Sequence, residues 1–191
     1  MSIAALFEGK PFEPCMSEMD FPKAMQLICK GGWPASFWIP DRDTSLIAHE
    51  YLNMVIDEDI SRAGGVKRDS ALVRLLVRSL ARNTATTVKA TSLKADISER
   101  DGIDVSDQTI RSYYEALKKI FVIEEQDAWM PSLRSRSRIR STPKRHFADP
   151  SLAAAALGAT PGILAEDVKT AGFLFETLCF QAKQPRRLSS R

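Results

Sequence analysis

The sequence predicts a mainly α chain that carries one short β-hairpin. Three observations predict it. Apolar residues recur at helical spacing over most of the length. Capping residues stand before the periodic stretches, and glycines follow several of them. Two short runs, 121–126 and 144–148, read as strands on either side of a loop rich in Ser, Pro and Arg.

The elements follow in order. Asp20 caps a helix opened by Phe21-Pro22, and Gly31-Gly32 stop it. Gly32-Trp33-Pro34 breaks the chain, and 37–43 reads as loop. Ser45 is the expected cap of a helix reaching about Arg62, with Ala48, Leu52, Ile56 and Ile60 as its inward stripe. Asp69 caps a third helix over 70–82, with Leu72, Val73, Leu76, Val77 and Leu80 inward and Arg74, Arg78 and Arg82 as an outward ridge. A shorter helix over 91–99 turns Leu93 and Ile97 inward, and Gly102 makes the turn. Ser106 caps a helix over 107–120 whose apolar side is Ile110, Tyr113, Tyr114, Leu117 and Phe121. After the two strands, Asp149-Pro150 open a helix over 152–157, stopped by Gly158. A last helix over 172–181 carries Phe173, Phe175, Leu178 and Cys179.

The central order is helix, helix, turn, helix, strand, strand, which is that of a winged helix. The expected fold class is therefore mainly α (α+β): a winged helix-turn-helix with a short β-hairpin, flanked by helices. The expected boundaries are a helical linker region over 1–65, the winged-helix domain over 66–149, C-terminal helices over 150–181 and a disordered basic tail over 182–191.

Bulk properties exclude several function classes. The longest apolar runs, such as 152–157, fall far short of the roughly 20 residues of a membrane-spanning helix. No secretory signal opens the chain, and Cys15, Cys29 and Cys179 are too few and too scattered for a disulfide framework. Reduced thiols and a cytoplasmic location are the expectation. His49 and His146 sit in no metal-ligand pattern, so neither a metal nor any other cofactor is expected. Charge is uneven. Residues 1–60 hold four basic and ten acidic side chains, and the remainder holds 23 basic and 14 acidic, which points to an anionic partner for the later part.

Several segments resemble a known family. They are Gly31-Gly32-Trp33-Pro34, Tyr51 to Ile60, Ser79-Leu80-Ala81-Arg82-Asn83, Thr109 to Leu117, Pro143 to Leu152, and Gly172-Phe173-Leu174-Phe175-Glu176. In that order they are similar to the region called domain of unknown function 4143 in bacterial and archaeal AAA+ ATP-binding proteins. The resemblance covers most of residues 20–181. It implies an ATPase module upstream and a nuclease-like domain downstream, and neither is carried here. No GxxxxGK[ST] loop occurs, and Gly64-Gly65-Val66-Lys67 has the wrong spacing for one. Glu176 stands where the nuclease-like domain would begin, without the further carboxylates a metal-dependent nuclease needs.

The candidate site is therefore a binding surface. Arg134, Arg136, Arg138, Arg140, Lys144 and Arg145 give six positive charges, with no acid over 133–146. In a winged helix this segment is the wing, and its guanidinium groups suit phosphate oxygens. Gln108, Thr109 and Arg111, with Ser112, occupy the first turns of the expected recognition helix and are residue types that read base edges. The competing assignment for the arginines is a solvated loop, or pairing with the acidic N-terminal third. Glu115 and Asp107 oppose phosphate on that same helix. The expected function is a non-catalytic module that binds DNA through a basic wing. The alternatives are an assembly module, docked on an AAA+ ATPase or on itself, and a degenerate fragment of an ATP-binding protein.

Overall fold

The computed structural model describes residues 8–9, 18–41, 44–62, 65, 68–128 and 142–183. Eight helices and one hairpin are found among them. Helix α1 is Phe21–Lys30, and the Asp20 carboxylate accepts from Lys23 N at 2.8 Å to cap it. A 3-10 turn, Pro34–Phe37, follows. Helix α2 is Thr44–Met54; it runs on through a π-helical turn, Val55–Asp59, into a last turn, Ile60–Arg62. Helices α3 (Ser70–Arg82), α4 (Ala90–Asp101) and α5 (Asp107–Lys119) come next. Strands β1 (Ile123–Gln126) and β2 (Lys144–Phe147) pair antiparallel, with Glu125 opposite Arg145. Helices α6 (Pro150–Leu157), α7 (Pro161–Glu166) and α8 (Val168–Lys183) complete the set.

The core is organised around α6. Its sequence is Pro-Ser-Leu-Ala-Ala-Ala-Ala-Leu, and every residue from Pro150 to Ala155 is buried. A helix buried all round has no solvent face to mark with polar residues. Its alanines let α1, α2, α3 and α8 approach it together. A polar lock fixes this centre. The Asp149 carboxylate accepts from Gly32 N at 2.8 Å, Gln181 Nε2 at 3.0 Å, Ser151 N at 2.8 Å and Ser151 Oγ at 2.6 Å. Trp33 Nε1 donates to Ser151 Oγ at 2.8 Å. The end of α1, the start of α6 and the end of α8 therefore meet on one carboxylate.

Helix α3 joins this centre to α4 and α5. Asp96 on α4 accepts from Ser79 Oγ and Arg82 Nη2, both at 2.5 Å, and from Arg100 Nε at 2.9 Å. Burial alone would raise the Asp96 carboxyl, but these three donors outweigh it and hold it below its ordinary range. After α3 the chain turns through Ala85 at φ 57° and touches the hairpin. Ala85 N donates to Arg145 O at 2.7 Å, and Arg145 N donates to Thr86 O at 2.9 Å.

The structure corrects several expectations. Ser45 is not the cap of α2; the helix already includes Thr44, whose hydroxyl donates to Asp41 O at 2.8 Å. The expected stripe of Ala48, Leu52, Ile56 and Ile60 is buried throughout, and the π turn adds Val55 to it. Phe121 does not extend the apolar side of α5. It sits at φ 58° in the turn before β1 and is 76% exposed. Trp38 is 88% exposed, whereas Trp33 packs on Tyr51. The arginine ridge of α3 is not uniformly solvated: Arg82 is held by Asp96, and Arg74 bonds Asn53 at 2.7 Å and Asp57 at 3.4 Å. Helix α7 was not foreseen. Helix α8 begins at Val168, earlier than the expected 172; it buries Ala171, Leu174 and Thr177, and Phe175 is exposed. Cys29 is buried in an apolar setting that pushes its thiol up to about 11, so it is a packing residue. Cys15, Trp129 and the tail beyond 183 lie outside the described residues.

Strand β2 also meets α8. Lys144 Nζ pairs with Glu176 Oε1 at 2.6 Å. His146 is buried, stacks on Phe180 with ring centroids 4.3 Å apart, and has Thr177 Oγ1 and Gln126 Oε1 each 3.2 Å from a ring nitrogen. Burial lowers the His146 pKa below its ordinary 6.5; Glu176 raises it and Lys144 lowers it further. The unfolded chain thus takes up the proton first as pH falls. The stability tied to neutral His146 is whole above about 6.5 and is lost below it, down through the folded-state pKa. Urea denaturation at pH 7.5 and at stepwise lower values is expected to show this decline. In His146→Gln the part of the decline nearest neutrality should vanish; an unchanged profile would count against the assignment.

Candidate nucleic-acid interface

Helix α5 owes its position to its own sequence. Ser106 Oγ accepts from Thr109 N at 3.1 Å and lies 2.8 Å from Thr109 Oγ1. Ile110, Tyr114, Ala116 and Leu117 face inward. The opposite stripe, Gln108, Arg111, Ser112, Glu115 and Lys119, is exposed. Gln108 and Arg111 are thus free to meet a partner, while the Thr109 hydroxyl is engaged in the cap.

Beside this helix lies a cleft of about 470 Å³. Its walls are the start of α4 (Lys89 and Thr91), α5 (Arg111 and Glu115) and the loop end of the hairpin (Thr142 and Arg145). Tyr114 and Glu125 form its back. Tyr114 donates its phenol proton to Glu125 Oε1 at 2.7 Å, and Lys118 pairs with the other carboxylate oxygen. Burial alone would raise Glu125, but the Lys118 and Tyr114 bonds outweigh it and hold the carboxyl down. Burial, helped by Glu125, raises the Tyr114 phenol. The pair is therefore an ionised acceptor and a neutral donor. Arg145 lays its guanidinium over the Tyr114 ring, 4.8 Å from the centroid, with Nε and Nη1 buried and unpartnered among the described residues.

Of the residues singled out from the sequence, Arg111 and Arg145 share the cleft. Gln108 and Thr109 stand nearby in the first turn of α5. Lys144 does not join them: side chains alternate along a strand, so it faces α8 and Glu176 while Arg145 faces α5. Arg134, Arg136, Arg138 and Arg140 lie outside the described residues. Thr142, the first described residue after them, lines the cleft. Sequence reasoning missed Lys89, Thr91 and Thr142. A visible signal was Lys89 itself, which precedes a helix without any capping side chain. Among the described residues no group of three or more His, Cys, Asp and Glu is placed to hold a metal ion, and no helix is long and apolar enough to cross a membrane.

A family model described as a domain of unknown function, DUF8612, matches residues 22–162. No curated protein and no solved structure matches. The match corrects the resemblance to domain of unknown function 4143, and with it the expectation of an AAA+ setting and of missing ATPase and nuclease-like domains. The physical reason lies in two of the motifs that carried it. Gly31-Gly32-Trp33 and Asp149-Pro150-Ser151 are the two sides of the lock around α6. They report a way of joining helices and carry no information about a catalytic neighbour.

Proposed function

This chain belongs to the family described as a domain of unknown function, DUF8612, and we propose that it is a non-catalytic module that binds duplex DNA through a winged helix over residues 66–149. The observation that carries the reading is the shared border of one cleft. Arg111, on the exposed stripe of α5, and Thr142, where the arginine-rich segment rejoins the described chain, both line it. Support for the winged helix comes from the order α3, the bridge at Thr86, α4, α5, β1, β2, in which Thr86 pairs with Arg145 beside the hairpin. Helix α5 would enter a major groove about 12 Å wide with Gln108 and Arg111 toward the bases. The arginines over 134–140 would hold the phosphates beside it.

Fluorescence anisotropy with a labelled duplex at several salt concentrations tests this. If about three to five phosphates are neutralised, log affinity should fall with log salt at a slope of about −3 to −4.5. Replacing Arg136 and Arg138 together by alanine should make that slope shallower by about two units, equally for unrelated duplexes. Absence of binding at low salt would sink the proposal.

A further inference from the structure

We propose that the cleft between α4, α5 and β2 is a site for one phosphate group. The DNA reading uses this cleft as a border; the site itself would take a phosphate from a nucleic-acid backbone or from a small phosphorylated molecule. Charge is the first argument. Lys89 and Arg111 are exposed and carry no ion-pair partner among the described residues. Arg145 stacks on Tyr114 and keeps Nε and Nη1 buried without a hydrogen-bond partner among the described residues, and its cross-strand neighbour Glu125 is bonded by Lys118 and Tyr114. Glu115 is the carboxylate on the rim that opposes an anion, and it stands against all three cations.

The second argument is the start of α4. Helices α1, α3, α5, α6 and α7 each begin with a side chain that accepts from their first turn: Asp20, Asp69, Ser106, Asp149 and Thr160. Helix α4 is preceded by Lys89, with no side-chain cap. Neither the Ala90 nor the Thr91 amide has a side-chain acceptor here, whereas α3 and α6 supply one at the position of Thr91. A cation at this end also opposes the helix dipole. Both residues line the cleft with Arg111, Arg145 and Thr142. An anion seated there would accept from the two amides and the Thr91 hydroxyl, and would neutralise the lysine. The volume, about 470 Å³, lies within the roughly 300–1,000 Å³ of small-molecule sites.

The test uses the 15N-labelled full chain and inorganic phosphate, titrated against chloride at constant ionic strength. Saturable shifts of the Ala90 and Thr91 amides are expected. Lys89→Gln and Arg111→Gln should each weaken the apparent affinity about fivefold or more, with signals of α1 and α6 unmoved as evidence of an intact fold. Shifts that never saturate, or that survive both substitutions unchanged, overturn the proposal. A second titration adds an unlabelled duplex to the phosphate-saturated protein. Displacement of phosphate assigns the group to a nucleic-acid backbone. Saturation by phosphate without displacement assigns it to a small phosphorylated molecule; the site then stands while the DNA reading fails at this surface.

Discussion

Replacing Gly31 by alanine is expected to lower the unfolding free energy by about 4 kcal/mol, a large share of the roughly 5–15 kcal/mol that holds a domain together. Two effects add. Gly31 has φ 68° and ψ −178°, a region open essentially to glycine alone, and strain there costs about 1–3 kcal/mol. A Cβ at this place would stand 2.4 Å from Ser151 Oγ, 2.5 Å from Asp149 Oδ1 and 2.8 Å from Trp33 Nε1. Those atoms are hydrogen-bonded to one another, so none can withdraw without opening the lock. Overpacking of this kind costs about 1–3 kcal/mol more. Gly158→Ala is the control for a positive φ without crowding, at ψ 27°. Its φ is 65°, but nothing lies within 4 Å of the added carbon, so it should lose only about 1–2 kcal/mol. Urea midpoints at constant m-value measure both. Equal losses would show that the lock contributes nothing beyond backbone strain.

Asp149→Ala is expected to cost about 3–5 kcal/mol. It removes the cap of α6, worth about 0.5–2 kcal/mol. It also strands Gly32 N–H and the Gln181 amide in a half-buried setting, at about 1–3 kcal/mol for each donor left without an acceptor. Asp149→Asn should recover about half of this loss, because asparagine is as good a cap. It would still set an amide NH2 against one pair of donors. Thermal and urea denaturation of the two variants give the order. A parent-like Asp149→Ala would remove the carboxylate from its assigned role.

Local chemistry was legible in the sequence, and chemistry assembled from distant segments was not. Asp20, Asp69, Ser106 and Asp149 were read as caps, and each accepts from its own first turn. The central position of α6 was invisible, because a short alanine run shows no stripe and so names no face. Phe121 was misread because periodicity says nothing of a turn at positive φ, which swings the ring outward. Arg111 was found from its place in a helix. Its cleft was not, since Lys89, Thr142 and Arg145 reach it only when the turn after α3 pairs with β2.

The lock on Asp149 also orders events at the ribosome. Gly32 finds its acceptor 117 positions later in the chain. Helices α1 and α2 are synthesised first, yet much of the surface their apolar stripes need is supplied by α6. At about 5–20 residues per second, they wait on the order of ten seconds for it to emerge. During that interval Ile28, Leu52 and Ile56, all buried in the finished fold, have no α6 to cover them. Until residues 150–157 have emerged, that apolar surface is open to water and to any other apolar segment.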